Sequence, residues 1–460
     1  MVQNAVNSDT ESQAVAAASE EKATHRRRME VLGLLFENAE QLVTDYPGLL
    51  AWCRHLEQQY ASLVHQADFG LINRQLPAQL SLNERCWLWY GELIKAWRRL
   101  GQGLASGPRI NELLNGLQIL GIDEQAWPLV SQAIVSTLCL LSATLTPTEP
   151  DTRPLEEVKS PSYWLKAKYG QTECSWKCAS KLPSKHIFLG FRADHDSIHA
   201  EDPGYDLGVD SFDDSLNVRV MEYKNLLING HLRIEWVSSL AHHLVVDSNT
   251  CTLSIFKFPS LCAATVRNSG NSTNLGVSVA RWVMEQSRNN NKSYRQADCL
   301  GIFREVLLSY RLLFWQWDSH RLLVKALAQL GEEETDTLLR ELTDPLPVIA
   351  SKPWVPVSVA QKEYIQMGLF PRPVQVCDME LWSWNVFSAD EVFPVYGRRL
   401  QTIHHRVKTQ MPQPRPRSYL ELAVYIVGVI GAAAGIVSAV SGLLGLSGEK
   451  SSPTKRAPRE

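Results

Sequence analysis

Residues 81–97 read Ser81-Leu-Asn-Glu-Arg-Cys-Trp-Leu-Trp-Tyr-Gly-Glu-Leu-Ile-Lys-Ala-Trp97. Ser81, followed three residues later by Glu84, is a capping box, in which hydroxyl and carboxylate each satisfy a backbone N–H at the helix start. Trp87, Tyr90, Ile94 and Trp97 then recur at three- and four-residue spacing, the period of one helix face. Gly101 and Gly103 end that helix. So large an aromatic stripe needs other helices to cover it.

The neighbouring sequence supplies them. Upstream, Met29, Leu32, Leu35, Phe36, Ala39, Leu42 and Val43 keep the helical period. Pro47 opens a helix carrying Leu50, Cys53, Leu56 and Tyr60. Downstream, Pro108 precedes Ile110, Leu113, Leu114 and Leu117. Asp123 caps a further helix with Val130, Ala133, Ile134, Thr137, Leu138 and Leu141. We expect a helical bundle over 29–145, its aromatics forming the core. Residues 1–28 are polar, rich in Ala, Ser and Glu, and aperiodic, so they read as a disordered tail. His25-Arg26-Arg27-Arg28 at its end reads as a solvated charge run.

Beyond the bundle the character changes. Residues 146–161 (TPTEPDTRPLEEVKSP) have the composition of a linker. Over 162–285 turn residues become dense and two β-like pieces follow, 232–237 and 252–258, the second clearly alternating. Ser238 is placed to cap a short helix through Leu244, and the turn 247–250 leads into the second strand. A small mixed α/β unit is expected here. Residues 286–345 return to the helical period with Ile302, Val306, Leu307, Tyr310, Leu313, Phe314 and Trp317, a segment packed on the core. Residues 346–417 hold many prolines and read as an irregular region and a basic stalk, with His404 and His405 solvated. The fold class is mainly α with a small mixed α/β unit: a helical N-terminal bundle, a mixed central region and a single C-terminal transmembrane helix.

That last element is read from Leu422–Leu446, LAVYIVGVIGAAAGIVSAVSGLLGL, a run without one charged side chain. A helix of about 20 residues crosses a bilayer core, and backbone in hydrocarbon must satisfy itself. We assign 418–446 to the transmembrane helix and 447–460 to a short tail. Gly428, Gly431, Gly435 and Gly442 place small residues on one face, where a second helix or another copy of the chain can approach closely. Arg398, Arg399, Arg406, Lys408, Arg415 and Arg417 precede the run, and the Lys/Arg bias favours a cytosolic N-terminal side. The N-terminus has no apolar signal region, so the reading is a single-pass, tail-anchored protein with its bulk in the cytosol. The expected partners are the lipid bilayer and a homo-oligomer or partner helix at the GxxxG face. The organelle is not specified.

Chemistry is sparse. A formal net charge of −3 gives no case for nucleic acid. Nine cysteines, an odd number scattered through apolar patterns, suit reduced and mostly buried thiols. Cys174, Cys178, His195 and His199 have the ligand types of tetrahedral zinc. Their spacing is longer than in a finger, and Pro183 and Gly190 interrupt it. The acidic stretch around Asp194 and Asp196 lacks the order of a calcium loop. His242 and His243 are adjacent and point in different directions. No P-loop or nucleophile elbow occurs, and the Gly101–Gly107 loop lies between helices rather than after a strand. We name no catalytic residue and no cofactor. The functional reading is an interaction or scaffold protein. The alternatives are a membrane-held enzyme, zinc-dependent in one version, and a membrane-perturbing effector whose glycine-rich helix oligomerises.

Three blocks carry a resemblance. They are Asn229–Val237 continued through Ser239–Leu244 to Thr252–Phe256 with Phe258-Pro259; then Glu305–Phe314 (EVLLSYRLLF); then Phe393–Leu400 (FPVYGRRL). Together they resemble an uncharacterised family of filamentous-fungal proteins with a C-terminal membrane helix. The resemblance covers roughly 220 to 446 and departs at Trp315, where the block usually has glycine. It implies this architecture and the anchor, and no catalytic residue.

Overall fold

The computed structural model describes residues 2–101, 107–117, 127–143, 215–268, 301–314, parts of 275–278 and 322–339, and 386–411. The described chain is mainly helical with a small mixed sheet. The chain forms two compact units, Met1–Lys408 and Thr409–Glu460.

The first unit begins with α1 (Val2–Leu35), which corrects the reading of 1–28 as disordered. Ala, Glu, Lys and Arg are strong helix formers even without an amphipathic stripe, and Thr24 and Arg28 are buried against the bundle. Asn38 takes φ 55°, the left-handed conformation asparagine tolerates, and turns the chain into α2 (Ala39–Asp45). Next come α3 (Leu49–Leu63), α4 (Ala67–Gln75), α5 (Leu82–Gly101), α6 (Ile110–Gly116) and α7 (Trp127–Ser142). The capping box of α5 is formed: Ser81 N–H donates to Glu84 Oε2 at 3.1 Å, and Glu84 N–H donates to Ser81 Oγ at 3.3 Å. Arg27 of α1 pairs with the same Glu84 at 3.3 Å, so the box also ties α1 to α5. Trp52, Tyr60, Trp87, Trp89 and Tyr90 are fully buried, as the stripe requires.

The mixed unit holds β1 (Ser215–Asn217), α8 (Val218–Met221), α9 (Tyr223–Ile228), β2 (Arg233–Val237), β3 (Val246–Asp247), β4 (Thr252–Phe256) and α10 (Pro259–Arg267). It is completed by α11 (Gly301–Phe314), β5 (Val386–Ser388), α12 (Ala389–Val392) and α13 (Gly397–Gln410). Both expected strands exist and pair in parallel, Arg233 opposite Thr252 through Val237 opposite Phe256. β3 adds to β4 antiparallel, giving the order β2-β4-β3. β1 pairs antiparallel with the distant β5, Ser215 opposite Ser388. The short helix between β2 and β3 is a 3-10 turn, Leu240–His242, capped by Ser239 rather than Ser238.

Bundle and mixed unit share one core. Leu240 N–H donates to the Ala143 carbonyl at the end of α7 at 2.8 Å. Glu37 N–H reaches Asn268 Oδ1 at 3.1 Å. Gly48, at the start of α3, lies so close to Asp336 Oδ1 and Ser260 Oγ that a Cβ there would overlap both.

The basic stalk is corrected in part. Residues 397–410 form the helix α13 of the globular unit, burying Gly397, Leu400, Ile403, His404 and Val407. Their spacing is that of a helix face. Among the described residues no helix is long and apolar enough to cross a membrane. The run Leu422–Leu446 lies outside the described residues.

Candidate functional site

A connected polar cluster centres on His243, which is fully buried. Its Nδ1 accepts the Phe256 backbone N–H at 3.1 Å, so that nitrogen carries no proton. The ring proton therefore sits on Nε2, which lies 2.8 Å from Ser309 Oγ and donates to it. Ser309 in turn donates to the Val306 carbonyl at 2.7 Å. Burial, reinforced by the Arg399 charge, pulls the His243 pKa down to about 3. A neutral imidazole with its proton on Nε2 has no lone pair to offer Ser309. The pair is wired as a structural link, the reverse of a nucleophile and its general base.

Elements from three parts of the sequence converge here. Tyr310 of α11 donates its hydroxyl to the Phe256 carbonyl. Tyr396, just before α13, donates to the Leu240 carbonyl at 2.9 Å and sets its ring edge-on to His243, centroids 5.0 Å apart. Arg399 Nη1 donates to the Ala241 carbonyl at 2.8 Å and the His243 carbonyl at 2.6 Å. That grip holds Leu244 at φ 62°, a left-handed conformation that costs a leucine roughly 1–2 kcal/mol. Glu305 of α11 is 2% exposed; it accepts Val395 N–H at 2.9 Å and Tyr396 N–H at 2.8 Å, immediately before α13. It acts as a helix cap delivered from another element, where negative charge complements the free N–H groups and the dipole.

Two further buried carboxylates also join separate elements. Asp336 accepts Ser260 N–H at 2.8 Å, Ser260 Oγ at 2.6 Å and Leu338 N–H at 2.9 Å, serving the first turns of α10 and of 337–339. Glu57 of α3 accepts Arg28 Nη2 at 2.8 Å and Trp87 Nε1 at 2.5 Å, joining α1, α3 and α5. Arg28 is 4% exposed, so the expected solvated charge run is corrected at this residue. Arg26 keeps to solvent and pairs with Glu30 on its own helix at 3.3 Å.

The remaining sequence candidates divide plainly. Cys174, Cys178, His195 and His199 lie outside the described residues, as do Gly428, Gly431, Gly435 and Gly442. Among the described residues no His, Cys, Asp and Glu group is arranged to hold a metal ion. His404, expected in solvent, is 6% exposed and its Nε2 accepts the Asn217 N–H at 3.3 Å. Cys53, Cys86, Cys139 and Cys262 are buried and free, and burial pushes each thiol up, Cys53 to about 12. Such thiols are inert as nucleophiles. An open cleft of ≈ 890 Å³ lies along α1 and α2. Its lining mixes His25 and Arg26 with Glu30 and Glu40, so it selects neither charge.

Sequence reasoning missed Arg28, Glu57, Glu305, Ser309 and Asp336. Glu305 left one signal, a carboxylate set between Phe303 and Val306 on an apolar face. Comparison with protein-family models, with curated proteins and with solved structures finds no match to this chain.

Proposed function

We propose that the chain is a single-pass, tail-anchored membrane protein that presents its globular unit as an interaction or scaffold module on the cytosolic side. The observation that carries the reading is the uncharged run Leu422–Leu446, preceded by Arg398, Arg399, Arg406, Lys408, Arg415 and Arg417 with no acid between Glu391 and Glu421. A run of that length matches a bilayer core, and its flanking cations set the orientation. Gly428, Gly431, Gly435 and Gly442 then form a face for a second helix or another copy of the chain. The free, buried thiols of Cys53, Cys86, Cys139 and Cys262 fit a reducing compartment. The His243 cluster fits a module that holds shape rather than turns over substrate, because its histidine is locked as a donor.

The test is alkaline carbonate extraction of membranes carrying the full chain or a chain ending at Arg417. The full chain is expected in the pellet and the shortened one in the supernatant. Release of both would make the apolar run a core helix and end the membrane reading.

A further inference from the structure

The anchor reading leaves open how the globular unit meets the bilayer, and α13 supplies an answer. Its buried side is Leu400, Ile403, His404 and Val407. The opposite side shows Arg398, His405 and Lys408, on one helical stripe by spacing. Arg398 and Lys408 are exposed, and the helix contains no acid. Arg406 is half-buried, and its guanidinium reaches Ser248 Oγ and Cys251 Sγ, each at 3.5 Å. The helix ends at Gln410, and eleven residues, Met411–Glu421, lead to the apolar run. That tether includes Arg415 and Arg417 and reaches at most about 40 Å when fully extended. Surface charge acts over a range of ~8 Å at physiological salt, so docking requires the face to come that close to the bilayer.

We propose that the exposed face of α13, through Arg398 and Lys408, docks on anionic phospholipid headgroups of the membrane that holds the anchor. The proposal rests on the anchor reading for its tether. The His243 cluster gives the docked helix a rigid seat. Arg399 and the Glu305 cap fix α13 to the turn between β2 and β3 and to α11, so the charged stripe keeps one orientation.

The experiment uses the full chain with vesicles of phosphatidylcholine alone or containing phosphatidylserine. Flotation reports membrane attachment, and acetylation of lysines, read by mass spectrometry, reports docking. Lys408 is expected to react about fivefold more slowly on the anionic vesicles, the occupancy one cation gains at such a surface. Lys95 of α5, exposed in the bundle, is expected to react equally on both. Arg398→Glu or molar salt should restore Lys408 reactivity. If the chain floats with both vesicles and Lys408 reacts alike, the docking is overturned and the anchor stands. If it floats only with phosphatidylserine and Lys408 is protected, the docking stands and the anchor reading falls. Flotation with neither sinks both, and an acidic protein surface becomes the partner to seek for α13.

Discussion

Three buried carboxylates, Glu57, Glu305 and Asp336, do what apolar packing cannot: each fixes which groups meet. An acid withdrawn from water is stable only with its donors in place, so each specifies a geometry as well as a contact. The Glu57 case is the cleanest to test. Glu57→Ala leaves the Arg28 guanidinium, 4% exposed, with only the solvent-exposed Glu21 carboxylate at 3.7 Å, and Trp87 Nε1 without its acceptor. Removing one partner of a buried pair costs about 3–5 kcal/mol. We expect a loss of that size in urea unfolding of the full chain in neutral detergent. Replacing both partners, Arg28→Met with Glu57→Leu, should lose much less than the sum of the two single changes. A single-mutant loss below about 1 kcal/mol would mean that water reaches Arg28 and the pair is not truly buried.

At the scale of elements, legibility follows from how far local chemistry decides the structure. The α5 box needed only Ser81 and Glu84, three residues apart, and was readable at once. The strands at 233–237 and 252–256 were readable by alternation, yet their parallel pairing was not, because the connection through β3 returns β4 beside β2 only once Leu240 and His243 are buried. α13 was hidden by charge. Gly397–Gln410 carries four Lys or Arg, and its apolar positions Leu400, Ile403 and Val407 are too few to stand out. What makes it an element is Glu305, 92 residues upstream of the helix start and on a different helix. This yields a prediction for the element. Glu305→Ala orphans Val395 and Tyr396 N–H, a penalty of about 2 kcal/mol. Amide exchange over 397–410 should then rise roughly thirtyfold while exchange in α5 stays as it was, because local openings need not involve the whole fold. Equal acceleration in both helices would show that Glu305 supports global stability and is no local cap.

For the whole molecule, the join between bundle and mixed unit is where acid should act. Both sides of it hold a buried histidine. His55 of α3 packs on the Phe258 ring, centroids 5.1 Å apart, with its Nε2 buried and without a hydrogen-bond partner. Burial, with the Lys257 charge, pulls its pKa from 6.5 to about 3, and His243 is lowered to about 3 by burial and Arg399. The unfolded chain therefore binds protons between pH 6.5 and about 3 that the folded chain refuses. Stability is full above about 6.5 and is lost as pH falls toward about 3. From pH 7 to pH 5 each histidine should withdraw roughly 2 kcal/mol. His55→Phe keeps an aromatic ring on Phe258 and cannot be protonated. The fall in unfolding free energy between pH 7 and pH 5, measured in neutral detergent, should shrink by that amount in the variant. The remaining slope should include the His243 share. An unchanged slope in His55→Phe would mean that His55 takes up its proton without unfolding the join, and that solvent already reaches the seam between α3 and Phe258.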